Sequence, residues 1–255
     1  MKAFCFVLLL VLAGAASGTI EKRTVGGQTC GKARQYHVEI EAKTGGKTCG
    51  GSLLNTRWVI TASHCAEQIV TVKVGINVDK SLKSKVKSFF KGEPKENKQV
   101  IEVAKQFTFK GEEEQAHDIM LIRLNQDVSP KLPQINLPSS ECTRPQPNQQ
   151  VQIGGWGAKK KAKKPKNMMC ASVEMIECNE NDKPDSKYHS DENAVMCAFK
   201  PGVETCFGDG GSAVEYNNVL HGIVVNKPVD DCEGRIVMLD ICRYKDWITK
   251  TMQDN

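Results

Sequence analysis

The chain has 255 residues, 40% hydrophobic and 25% charged, with a formal net charge of +5 at pH 7. That length fits one large β domain or two small ones with a sizeable core, and the composition excludes a disordered chain. The mild positive balance excludes little by itself, because the distribution of charge matters more than its sum.

Residues 1–18 read as a secretory signal peptide. Lys2 supplies the positive start, Phe4 to Ala13 an apolar run, and Ala15-Ala16-Ser17-Gly18 the small residues of a cleavage site. The apolar run is short for a bilayer, and no later segment is apolar enough, so the expectation is a secreted, extracellular protein with no membrane span. Residues 19–23 form a short propeptide ending in Lys22-Arg23, directly before Thr24-Val25-Gly26-Gly27. A dibasic pair before a Gly-Gly turn reads as a processing point and leaves 24–255 as the mature domain.

Short β signals follow in order: Trp58 to Thr61, Val70 to Val74, Ile119 to Leu124, Val151 to Ile153 and Leu220 to Val225. Gly, Pro and Asn punctuate them, the pattern of an all-β barrel or sandwich. Tyr244 to Lys250 has helical spacing and predicts a terminal helix. Two lysine-rich stretches, Lys80 to Lys98 and Lys159 to Lys166, lack hydrophobic periodicity and read as exposed loops. The second places six lysines in eight residues without an aromatic residue. Its positive potential suits sulfated glycans, nucleic acid, anionic lipid or microbial surfaces, and a protein or an anionic glycan or surface is the expected partner; without aromatics it is not a specific nucleic-acid reader. A solvated loop kept for solubility is the bland alternative.

Cys5 leaves with the signal, and ten cysteines remain, an even number that favours five disulfides in an oxidising compartment. No C-x-x-C grouping supports a metal cluster, so no metal and no cofactor are expected.

Three segments resemble motifs of the trypsin-like serine proteases. Trp58-Val59-Ile60-Thr61-Ala62-Ser63-His64-Cys65 is similar to the family's histidine motif, Asp118 in His117-Asp118-Ile119-Met120-Leu121 to its aspartate motif, and Cys206-Phe207-Gly208-Asp209-Gly210-Gly211-Ser212 to its serine motif. Thr24-Val25-Gly26-Gly27, Gly155-Trp156-Gly157 and the Trp247 segment add matches in family order. The resemblance implies two six-stranded antiparallel β-barrels with a C-terminal helix and the site in the cleft between them. It also implies the pairs Cys30–Cys170, Cys49–Cys65, Cys142–Cys242, Cys178–Cys197 and Cys206–Cys232. The trypsins' sixth bridge is absent, with Val151 and Tyr216 at its positions. A monomer is the expectation.

Acyl transfer on this fold needs a hydroxyl nucleophile, a histidine that takes its proton and a buried aspartate that orients the histidine. The resemblance assigns the last two roles to His64 and Asp118. At the nucleophile's position stands Gly210, which has no side chain. Ser212 is the rescue candidate, but two residues shift a hydroxyl by roughly 6 Å, whereas catalysis responds to displacements of about 1 Å. Losing such a nucleophile lowers turnover about 10⁶-fold in another protease of this chemistry. The family's oxyanion hole would be the N–H groups of Gly208 and Gly210. Asp209 would receive the amine of Thr24 after cleavage at Arg23, the zymogen switch. In the specificity pocket, Glu204 takes the place of the acid that selects Lys and Arg, while Lys227 and Ile236 replace glycine walls. The calcium loop of many trypsins corresponds to the lysine-rich Val78 to Lys91, which predicts no calcium. The expectation is a catalytically inactive homologue, a pseudoprotease acting by binding; the alternative is an active serine endopeptidase using Ser212.

Overall fold

The structure is a computed structural model that describes residues 27–77, 97–157, 165–203, 209–225 and 234–255. The signal peptide, the propeptide with Arg23 and Thr24, the expected calcium loop, Lys159 to Lys164, Glu204, Cys206, Gly208, Lys227 and Cys232 lie outside the described residues.

Fourteen strands and one α-helix form two sheets among the described residues. The first is built from β2 (His37–Ala42), β3 (Thr48–Leu53), β4 (Trp58–Thr61), β5 (Val70–Val74), β6 (Asn97–Ile101), β7 (Gln106–Lys110) and β8 (Ala116–Arg123), in the order β6-β5-β2-β3-β4-β8-β7. The second holds β1 (Gln28–Thr29), β9 (Gln150–Gly155), β10 (Met169–Ile176), β11 (Val195–Phe199), β12 (Ala213–Tyr216), β13 (Val219–Val224) and β14 (Ile236–Asp240). Its order is β1-β10-β11-β14-β13-β12-β9, and β9 also pairs with β10. Six strands therefore close into a barrel with β1 as an added edge. The first sheet curls into a half-barrel, and the pair of barrel-like sheets with one C-terminal helix is the architecture that the resemblance implied.

The strands follow their side-chain periods. In β5 the valines at 70, 72 and 74 turn inward while Thr71 and Lys73 stay at the surface. β8 is buried along His117 to Ile122, because β4 and β7 flank it on both sides. Asn217 and Asn218, with φ of 52° and 62°, make the two-residue turn between β12 and β13, the left-handed pair that a tight hairpin requires. The terminal helix α1 (Ile241–Asp254) is longer than its sequence period indicated, since Asp240 caps it by accepting the Cys242 N–H at 2.9 Å.

Two apolar cores result. One fills the first barrel and extends to Ile241, Tyr244 and Ile248 of α1. The other fills the closed barrel with Val151, Ile153, Val173, Met196, Val214 and Met238. Among the described residues four disulfides form with the pairing that the resemblance implied: Cys30–Cys170, Cys49–Cys65, Cys142–Cys242 and Cys178–Cys197. No helix among the described residues is long and apolar enough to cross a membrane.

Candidate active-site cleft

His64 sits on a single 3-10 turn, Ser63–Cys65, at the end of β4. Asp118 lies on β8 and is fully buried. β4 and β8 are antiparallel neighbours, with Thr61 opposite Met120, so residues just past this pair meet at the same sheet end. Ser63 strengthens the junction by donating its hydroxyl to the His117 carbonyl at 3.0 Å. The His64 N–H then donates to Asp118 Oδ1 at 2.9 Å, and its Nδ1 stands 2.7 Å from Oδ2. Two bonds from one residue to one carboxylate fix the ring and place its proton on Nδ1. Nε2 is left as the lone-pair nitrogen that would take a proton.

What faces Nε2 is sulfur. The disulfide atoms Cys65 Sγ and Cys49 Sγ lie 3.4 and 3.9 Å away, and among the described residues no hydroxyl hydrogen-bonds to it.

The segment Asp209 to Ser212 is clamped between the two barrels. The Gly210 carbonyl accepts the Gly50 N–H at 2.8 Å, Gly211 donates to the Val224 carbonyl at 2.8 Å, and Ser212 donates to the Asp209 carbonyl at 3.1 Å. Gly211 has a φ of +78°, and a Cβ there would come within 2.2 Å of Thr61 Oγ1 and 2.4 Å of the Gly50 carbonyl oxygen. Only glycine fits. Ser212 is 1% exposed, and its hydroxyl has no hydrogen-bond partner among the described residues. The hydroxyl lies against β3 and β9: a Cβ on Gly50 would be 2.1 Å from Ser212 Oγ, and one on Gly155 would be 3.5 Å away.

Asp209 is buried, and its Oδ1 accepts the Gly157 N–H at 2.8 Å. Gly155 and Gly157 make its cradle, since a Cβ at either would stand 2.0 Å from a carboxylate oxygen. Ile236 is buried on β14 in the apolar interior of the closed barrel, in the cluster that holds Val203, Val224 and Met238. The roles of Gly50, Gly155 and Gly157 as contact surfaces were not read from the sequence. Only Gly155-Trp156-Gly157 carried a signal, as a motif match without a stated role.

His and Cys atoms converge at Cys49, His64 and Cys65, and again at Cys142, His221 and Cys242. The sulfurs in both groups are disulfide-bonded and offer no thiolate to a metal.

Three comparisons bear on this arrangement. The family model described as Trypsin matches residues 24–248. Kallikrein-8 of Rattus norvegicus is 32% identical over 97% of this chain and 94% of its own length, and Trypsin II-P29 of Gallus gallus is 29% identical over 98% of each. Among solved structures, the one titled neuropsin, a serine protease expressed in the limbic system of mouse brain, superposes with a TM-score of 0.65. It shares 30% identity and covers 89% of this chain and 99% of its own.

Proposed function

We propose that this chain, which belongs to the trypsin family, is a secreted binding protein that keeps the protease fold without the protease reaction. The reading rests on one observation: His64 Nε2 faces the Cys49–Cys65 disulfide, and the residue at the nucleophile's position is Gly210. In the family reaction a hydroxyl oxygen attacks the carbonyl carbon while the histidine takes the hydroxyl proton. Here the His64–Asp118 pair has a base and its orienting carboxylate but no O–H to deprotonate. Ser212 does not fill the gap, because its hydroxyl is buried against Gly50 and Gly155.

The other parts follow from the same reading. Cleavage after Arg23 frees the Thr24 amine for the Asp209 carboxylate, so the zymogen switch outlives the chemistry. On this reading Ile236 fills the specificity slot, and Lys227 neutralises Glu204, the residue at the selecting acid's position. A monomer then presents Lys159 to Lys166 to a protein or an anionic glycan. The disulfides fit an extracellular protein.

The retained His64–Asp118 geometry favours a second reading, an endopeptidase that uses Ser212. One experiment separates the two. The protein cleaved at Arg23 is treated with a fluorophosphonate probe and an arginine ester, then applied to heparin. The expected result is no covalent adduct, no turnover and salt-sensitive retention. An adduct on Ser212 with ester turnover would establish the second reading.

A further inference from the structure

A cavity of about 730 Å³ lies between two walls. One is the turn that joins β7 to β8, and the other is the loop between β10 and β11. Direct contacts hold the walls together. The His189 N–H donates to the Ala116 carbonyl at 2.8 Å, His189 and His117 pair as an isolated bridge, and their rings stand edge-on at 5.2 Å. Phe109 of β7 supplies an aromatic side, itself packed edge-on against His117, Tyr244 and Trp247.

The cavity carries one sign of charge. Glu112, Glu113 and Asp191 line it. Lys110 also lines it, but its ammonium is engaged at 2.8 Å by Glu114, which lies outside the lining. Glu113 accepts the neutral Gln115 amide at 2.9 Å, and Asp191 stands 3.4 Å from His189. Neither partner bears a permanent charge, so the mutual repulsion of the carboxylates has no fixed cation to offset it among the described lining residues.

His117 adds a second, independent feature. It is 3% exposed. Its Nδ1 lies 2.9 Å from the Tyr244 hydroxyl, whereas Nε2 has no hydrogen-bond partner among the described residues. Nε2 faces Gly111 of the lining, where a Cβ would come within 3.0 Å of it. Glycine at 111 thus leaves the approach to Nε2 open. With Nδ1–H donated to Tyr244, Nε2 presents a lone pair to the cavity. Burial and the neighbouring His189 lower the His117 pKa, with Asp191 opposing. The ring therefore stays neutral and can accept a hydrogen bond from a cation. A buried acceptor left unpaired is costly, and carboxylates above it select what pairs with it.

We propose that this cavity binds an organic cation bearing N–H donors, a polyamine or the lysine side chains of a basic peptide. Its ammonium groups lie against Glu112, Glu113 and Asp191, and one N–H is donated to His117 Nε2. The methylene stem between the ammonium groups packs on Phe109. The site makes no use of position 210, so it stands apart from the non-catalytic reading above and neither fails with the other.

The test is isothermal titration calorimetry of the full mature protein after treatment with a chelator, using spermine and a capped lysine dipeptide as separate probes. Saturable one-site binding is expected, weakening as salt is raised. The tighter of the two probes names the source of the cation. Glu112→Gln and Asp191→Asn should each weaken binding about threefold, as expected of partly exposed ion pairs. His117→Gln should weaken it about tenfold through loss of a hydrogen bond to a charged donor. Glu141→Gln, the same change of net charge at an exposed site outside the cavity lining, should leave binding unchanged. If His117→Gln does not fold, the two surface variants carry the test. Absence of saturable binding by either probe, or cavity variants that bind as Glu141→Gln does, would overturn the proposal. Binding that appears only when zinc is added would also overturn it, by assigning the histidines to a metal.

Discussion

A buried hydroxyl without a partner is a cost, and among the described residues Ser212 Oγ is such a group, enclosed by Gly50 and Gly155. Leaving a donor of this kind unsatisfied costs about 1–3 kcal/mol. Ser212→Ala removes the hydroxyl and keeps the methyl-sized volume, so it should raise stability by about 1 kcal/mol in denaturant unfolding. The same variant reads function. A nucleophilic Ser212 would make the substitution neutral to stability and fatal to probe labelling, whereas a packing residue makes it stabilising with nothing to lose. A measured loss of stability would mean that the hydroxyl has a partner in solution.

The elements were legible to different depths. β4, β5 and the start of β9 coincide with the expected segments: period-two burial is written locally in Val70 to Val74 and Val151 to Ile153, and Trp58 to Thr61 is a short apolar run buried along its whole length. The meeting of His64 and Asp118 was legible only through the family resemblance, since 54 residues separate them. Where the Ser212 hydroxyl points was not legible at all: it depends on the clamp between Gly210, Gly50 and Val224. Nor was the Tyr188–Glu67 hydrogen bond, which joins residues 121 apart through a left-handed backbone conformation that no propensity assigns to Glu67. β8 shows a further consequence of burial at this scale. His117, beside Asp118, has its Nδ1 2.9 Å from the Tyr244 hydroxyl of α1, with Phe109 of β7 edge-on at 4.8 Å. Burial lowers its pKa below the ordinary 6.5, the adjacent His189 lowers it further, and Asp191 opposes both. Burial lowers His221 as well. Both imidazoles stay neutral in the fold under conditions where the unfolded chain takes up protons. The contribution of these two histidines to stability is therefore fully present above pH 6.5 and is lost as pH drops from there toward the depressed native values. Denaturant midpoints measured from pH 7.5 to 5 should decline, and His117→Gln should flatten the decline. A variant whose profile keeps the native slope would remove His117 as its source.

At the scale of the whole molecule, the two barrels are joined by a buried cation. Arg34, ahead of β2, reaches into the second barrel, where its guanidinium donates to the Gln152 carbonyl at 3.2 Å on β9 and to the Ala213 carbonyl on β12. The same group stands 3.8 Å from the Glu215 carboxylate, which also accepts the Tyr36 hydroxyl. Burial raises the Tyr36 phenol far above its usual range, so it stays a neutral donor. Glu215 and Gln152 are register partners across β12 and β9. They adjoin Tyr216 and Val151, the positions where the family resemblance would place a sixth disulfide. A charged clamp thus spans the strand pair that a covalent bond ties in relatives, and it recruits the first barrel into the tie. The Arg34 side chain is 2% exposed, so removing it leaves carbonyls and a carboxylate without their cation. Arg34→Met should cost about 3–5 kcal/mol in guanidinium unfolding. Adding Glu215→Gln to that background should cost less than Glu215→Gln alone, because the charge to be compensated is already gone. Strictly additive losses would mean that Arg34 and Glu215 contribute separately, and that the junction between the barrels rests on its backbone hydrogen bonds and apolar contacts.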